Sequence, residues 1–185
     1  MKKWLLLTSA LMLSPASAQH HSHAHHPQGG DAPTGAAHAH APYAGMHERE
    51  IKALSTQQID DLRAGRGMSM ALPAELNGYP GPLHALELSG QLGLSDTQVA
   101  AIRRNLEEMQ KTARLLGEQL ITAEAKLDSL FRERTASREN LEASTLEAAT
   151  AKARLRAHHL GHHLDMMDIL NREQVEVYNT LRGYE

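Results

Sequence analysis

No proline follows Pro82, and the stretch beyond it carries apolar residues at alternating spacings of three and four. Val99, Ile102, Leu106, Met109, Ala113, Leu116, Leu120, Ala123, Leu127 and Leu130 form a heptad seam sustained for more than four repeats. Ser95, with Gln98 three residues on, supplies a capping box at its start. The pattern predicts a helix from about residue 96 to 133, ~57 Å long at 1.5 Å per residue. Thr135 to Ser137 then provides a turn and a new cap, with Asn140 at the third helical position. A second long helix follows, in which Leu141, Ala148, Leu155, His162 and Ile169 fall seven apart. That register puts His162 on the buried face. Asn171, with Gln174 three residues on, caps a last short helix. A connection this short between two long helices dictates an antiparallel hairpin. A turn centred near residue 135 or 136 sets Met109 opposite His162.

The rest of the chain divides by composition. Lys2 and Lys3, the apolar stretch Leu5 to Leu13 and Ala16-Ser17-Ala18 are the three parts of a secretory signal. Residues 1–18 are therefore read as a leader cleaved after Ala18, too short in its apolar part to span a bilayer. The expected location is the periplasm. Residues 19–45 are His, Ala, Gly and Pro with almost no large apolar side chain, a composition that predicts disorder. Residues 46–81 read as a short helix over 48–65, with Ser55 as N-cap, followed by a Gly/Pro-broken connector. Leu83 to Leu92 is expected to form another short helix, with Pro82 in its first turn. Residues 82–185 are the helical domain proper. The fold class is all-α.

Within the second long helix, residues 158–167 read His-His-Leu-Gly-His-His-Leu-Asp-Met-Met. Positions i, i+4 and i+8 stack along one side of a helix, so His158, His162 and Met166 make one stripe. His159, His163 and Met167 make a second. Imidazole nitrogen and thioether sulfur are metal ligands, the sulfur favouring soft ions such as Cu(I). Helix propensity does not explain the choice, because His is a mediocre helix former and Gly161 costs ~1 kcal/mol against alanine. Copper fits the donor types best, then nickel or cobalt; a histidine-only zinc site stays open.

The leader-proximal segment repeats the chemistry. His20, His21, His23, His25, His26, His38 and His40 lie in it, so the two clusters hold eleven of thirteen histidines. Such a tract binds divalent metals, whether as a site or as a solubilising leader. Cleavage after Ala18 would leave Gln19-His20-His21, whose amine, backbone amides and third-position imidazole suit square-planar Cu(II) or Ni(II) unless Gln19 cyclises. His84 reads as a capping or core residue before a ligand, and whether it and Glu87 complete a site is open. Met68 and Met70 read as packing or loop residues.

Three helix starts share a pattern: Leu54-Ser55-Thr56-Gln57-Gln58, Leu94-Ser95-Asp96-Thr97-Gln98 and Leu170-Asn171-Arg172-Glu173-Gln174. The last two bracket the hairpin and resemble the paired Leu-Thr-x-x-Gln motif of the Spy/CpxP superfamily of periplasmic stress proteins. That superfamily includes refolding chaperones, zinc-responsive members and heavy-metal sensors of cobalt, nickel and copper resistance. The resemblance covers about residues 82–184. It implies a hooked four-helix protomer, commonly a homodimer with a concave face. His162 and Met166 match in spacing the His-x-x-x-Met pair that the sensor branch carries ahead of its last Leu motif. The earlier His-x-x-x-His pair of that branch is incomplete here, since Leu88 stands four residues after His84.

Charge and motifs narrow the function further. Removing the two leader lysines from the 19 basic residues leaves 17 against 22 acidic, a formal charge of −5 that offers no basic face for nucleic acid. Without cysteine there is no thiolate zinc site, disulfide or cysteine nucleophile. No nucleophile elbow, phosphate loop or paired-carboxylate site points to an enzyme. Two readings remain. One is a periplasmic protein that senses or buffers a transition metal, signalling to a partner such as a membrane-bound anti-sigma factor or sensor kinase. The other is a holdase chaperone for unfolded periplasmic clients, with metal as a modulator.

Overall fold

Each long helix begins where a side chain can satisfy the free N–H groups of its first turn. The computed structural model describes residues 42–184, and four capping boxes organise it. Ser55 pairs with Gln58, Ser95 with Gln98, Ser137 with Asn140 and Asn171 with Gln174, each accepting from the N3 backbone while the N3 side chain reaches back. From these starts run α1 (Thr56–Ala64), α4 (Asp96–Arg132), α5 (Arg138–Ile169) and α6 (Arg172–Arg182). Between them lie two short helices that open on prolines in their first turns, α2 (Leu72–Glu75) and α3 (Pro82–Glu87). A single 3-10 turn, Met46–Glu48, precedes them. There is no strand among the described residues, and no helix of theirs is long and apolar enough to cross a membrane.

α4 and α5 form the expected antiparallel hairpin and pack along their length. The seam faces inward: Ile102, Met109, Ala113, Leu120 and Ala123 are buried, and the other seam positions are half-buried. α1 crosses α4 where Gly117 removes any side chain; a Cβ there would lie 2.6 Å from the Leu62 carbonyl oxygen. The first apolar cluster gathers at this crossing, joining Ile59 and Leu62 to Ala113, Leu120, Ala148 and Leu155. A second cluster closes the other end of the hairpin, where Ala85, Leu92 and Ile102 meet Met166, Leu170 and Tyr178. The motif glutamines meet there too: Gln98 Nε2 donates to Gln174 Oε1 at 2.8 Å and to the Ile169 carbonyl at 2.9 Å.

Three expectations need correction. The helix expected over 48–65 starts only at Thr56, because the Ser55 box sets the first turn and a left-handed Gly65 ends it. The helix expected over Leu83–Leu92 stops at Glu87, where turns take over up to the Ser95 cap. Met109 lies level with His158, not His162, since the chain already reverses where Thr135 and Ala136 both donate to the Leu130 carbonyl.

Candidate metal centre

α5 carries its histidines between the two apolar clusters, after Leu155 and before Met166. The buried line runs through Ser144, Ala148, Ala151, Leu155, His159, His163 and Met166. A straight α-helix drifts ~20° per heptad against a strict seven-residue repeat. By the histidine stretch that drift has turned His162 to the flank, its side chain 12 % exposed. His159 and His163 take the deepest positions, 1 % and 7 % exposed.

The two histidine stripes meet different neighbours. His158 and His162 face α4 with their rings edge to face, centroids 4.6 Å apart. His158 Nε2 donates to the Met109 carbonyl at 2.9 Å, which leaves Nδ1 as the lone-pair nitrogen. His162 Nδ1 lies 3.1 Å from Asn105 Oδ1 and 3.5 Å from Asp165 Oδ2. Asn105 in turn donates through Nδ2 to Asp165, so His162 Nδ1 is the donor and its Nε2 carries the lone pair. Burial, then the His158 imidazole, hold the His162 pKa below its ordinary value against the opposite pull of Asp165 and Glu108.

His159 and His163 face a cavity of about 320 Å³. His163 Nδ1 donates to the Tyr79 carbonyl at 2.8 Å, which again makes Nε2 the lone-pair nitrogen. His159 Nε2 is buried and has no hydrogen-bond partner. A buried polar atom left in that state costs ~1–3 kcal/mol. Burial first, and the neighbouring imidazoles after it, push the His159 pKa down to about 4. The ring is therefore neutral at physiological pH, the form that ligates metal.

A carboxylate that the sequence reading did not single out organises the opposite wall. Glu75, 6 % exposed, accepts at Oε1 from the Tyr178 hydroxyl (2.5 Å), the Tyr184 hydroxyl (3.1 Å) and His84 Nδ1 (3.1 Å). Arg182 Nε stands 3.6 Å from Oε1, and His163 Nδ1 3.7 Å from Oε2. Burial and the bond to Glu75 raise the Tyr178 pKa far above the usual phenol range. Gly81 leaves room here, since a Cβ would come within 3.0 Å of Glu75 Oε2 and 3.1 Å of His163 Cε1, a crowding those side chains would have to yield to. His84 thus has a carboxylate partner on Nδ1 and an uncommitted Nε2. Its pairing with Glu75 was not readable from the sequence, since it joins two short helices through a connector without periodicity.

The methionines separate from the histidines they follow in sequence. Met166 is fully buried in the second apolar cluster, while Met167 is 39 % exposed. Three other methionines, Met68, Met70 and Met109, line the cavity together with His159 and His163. Among the described residues no group of three or more His, Asp or Glu side chains is arranged to hold an ion by itself. His20, His21, His23, His25, His26, His38 and His40, with the leader and its cleavage site, lie outside the described residues. No family model, curated protein or solved structure matches the chain.

Proposed function

We propose that the protein binds a transition metal in the periplasm, copper before nickel or cobalt, and senses or buffers it in heavy-metal resistance or envelope stress. The observation that carries this reading is His159 Nε2, a neutral imidazole nitrogen sealed from solvent without a partner. Around it His163 and His162 have their tautomers set by carbonyl or amide partners, the arrangement that fixes ring orientation in metal-binding histidines. His162 with Met166 is the pair suggested by the Spy/CpxP resemblance. The deep position of His159 and His163 favours them as the core of the site.

The same resemblance suggests a hooked four-helix protomer, and α3 to α6 supply four helices over residues 82–184. It also suggests a homodimer and a role upstream of a membrane-bound anti-sigma factor or sensor kinase. A second reading, holdase chaperoning, is favoured by large exposed apolar side chains along the hairpin: Leu115, Phe131, Leu146 and Leu164. Metal analysis of untagged protein purified from the periplasm, followed by titration with Cu, Ni, Co and Zn, tests the first reading. His159→Ala with His163→Ala should lower affinity more than His158→Ala with His162→Ala. Equal affinity in both double variants and the unaltered protein, each lacking residues 19–45, would remove α5 from the function and leave the holdase reading.

A further inference from the structure

Three thioethers at one cavity with an unpartnered imidazole are more than apolar filling requires. Met68 and Met70 come from the connector after α1, and Met109 from the middle of α4. All three line the cavity that His159 and His163 face. The connector reaches it at a conformational cost. Met68 and Ser69 sit at φ 43° and 60°, the left-handed region, where a residue bearing a Cβ loses ~1–2 kcal/mol. The turn is closed by the Met70 N–H donating to the Gly67 carbonyl at 2.8 Å, and both of its methionines line the cavity. Strain of this kind persists where the surrounding structure over-determines it, and it clusters at ligand sites. Met68 and Met70 are also packed against the first apolar cluster, which limits how far they can swing away.

The geometry points to a Cu(I) site formed by the His159 imidazole and the thioethers of Met68, Met70 and Met109. This rests on the metal-binding reading above and specifies its donors and its oxidation state. Divalent nickel, cobalt and zinc draw on imidazole and carboxylate, and no three such groups are arranged for them among the described residues. Cu(I) is soft and takes neutral sulfur and nitrogen donors. Leu72 and Leu83, 46 % and 47 % exposed, also line the cavity, so it reaches the surface and an ion can enter. The thioethers come from α4 and the connector while the imidazole comes from α5, so a bound ion would tie three separate segments together.

The test uses the full chain labelled with ¹³C at the methionine methyl groups and titrated anaerobically to saturation with Cu(I) supplied as its acetonitrile complex. Cu(I) is diamagnetic, and the histidine segment 19–45 holds no methionine, so its loading is silent in this spectrum. The expected result is a shift of the Met68, Met70 and Met109 methyl signals, with Met46, Met166 and Met167 unmoved. Met68→Leu, Met70→Leu and Met109→Leu together nearly conserve volume. They should weaken Cu(I) binding at His159, read from its imidazole signals in competition with a chromogenic Cu(I) chelator, by at least about tenfold. Zn(II) affinity should be unchanged. Imidazole shifts at His159 and His163 without thioether shifts would overturn this site while leaving the metal-binding reading intact. So would a shift confined to Met166 or Met167. If neither the α5 imidazoles nor any thioether responds at saturation, this site and the α5 metal centre both fall.

Discussion

His159 occupies a position on α5 where a leucine would continue the buried line between Leu155 and Met166. Its imidazole therefore bears the full expense of burial, and its pKa drops from 6.5 to about 4. Glu75, His84, Arg182 and Tyr184 reach the same cavity from other elements, yet none gives His159 Nε2 a hydrogen-bond partner. The consequence for stability has a definite sign. The unfolded chain takes up a proton near pH 6.5, whereas folded His159 resists protonation until about 4. The contribution is thus complete above the unfolded value and declines as pH falls through that window. His162, lowered as well, acts in the same direction. Urea midpoints of chelator-treated protein should fall between about pH 7 and about pH 4.5. His159→Leu should flatten that slope. An unchanged slope in the variant would place the pH sensitivity elsewhere.

At the scale of elements, two glycines in the long helices predict opposite outcomes. Gly161 in α5 has nothing within 4 Å of where a Cβ would stand, so Gly161→Ala should stabilise by up to about 1 kcal/mol through helix propensity alone. Gly117 in α4 gains the same propensity from alanine but meets the Leu62 backbone at 2.6 Å, a contact that only moving α1 can relieve. Gly117→Ala should therefore destabilise by ~1–3 kcal/mol. Denaturant melts of the two variants check both signs, and a stabilised Gly117→Ala protein would mean that α1 is not held at that crossing. The same contrast explains what the sequence could reveal. All four capping boxes and the α4 seam were legible, because a cap needs only residues three apart and a seam only its own periodicity. The facing of α5 was not. Its seven-residue spacing of Leu141, Ala148, Leu155 and His162 holds only if the helix supercoils throughout; in the straight helix the drift carries His162 to the flank and His159 and His163 inward. That connector was the least legible part. Glu75 takes its place from Tyr178, 103 residues away, and nothing local in a Gly- and Pro-broken stretch encodes such a partner.

Across the whole molecule, polar and apolar layers are arranged so that the fold does not depend on an ion. One apolar cluster joins α1 to the hairpin, the other joins α3 and α6 to its opposite end, and the histidines of α5 lie between them. Each cluster is closed by its own side chains, and the hairpin ends are fixed by capping boxes and by the Gln98–Gln174 pair. The metal-free chain is therefore expected to be helical and cooperatively folded, unlike a zinc finger, whose core forms only around its metal. An ion that binds between the clusters adds stability by mass action, about 2.7 kcal/mol when its free concentration is a hundredfold above Kd. For a domain of this length that corresponds to a rise in Tm of roughly 5–10 °C. Circular dichroism should show the same helix content with and without metal, and calorimetry should show a Tm that climbs with metal concentration. A coil-like spectrum for chelator-treated protein would contradict the arrangement, because it would mean the two clusters cannot hold the hairpin on their own.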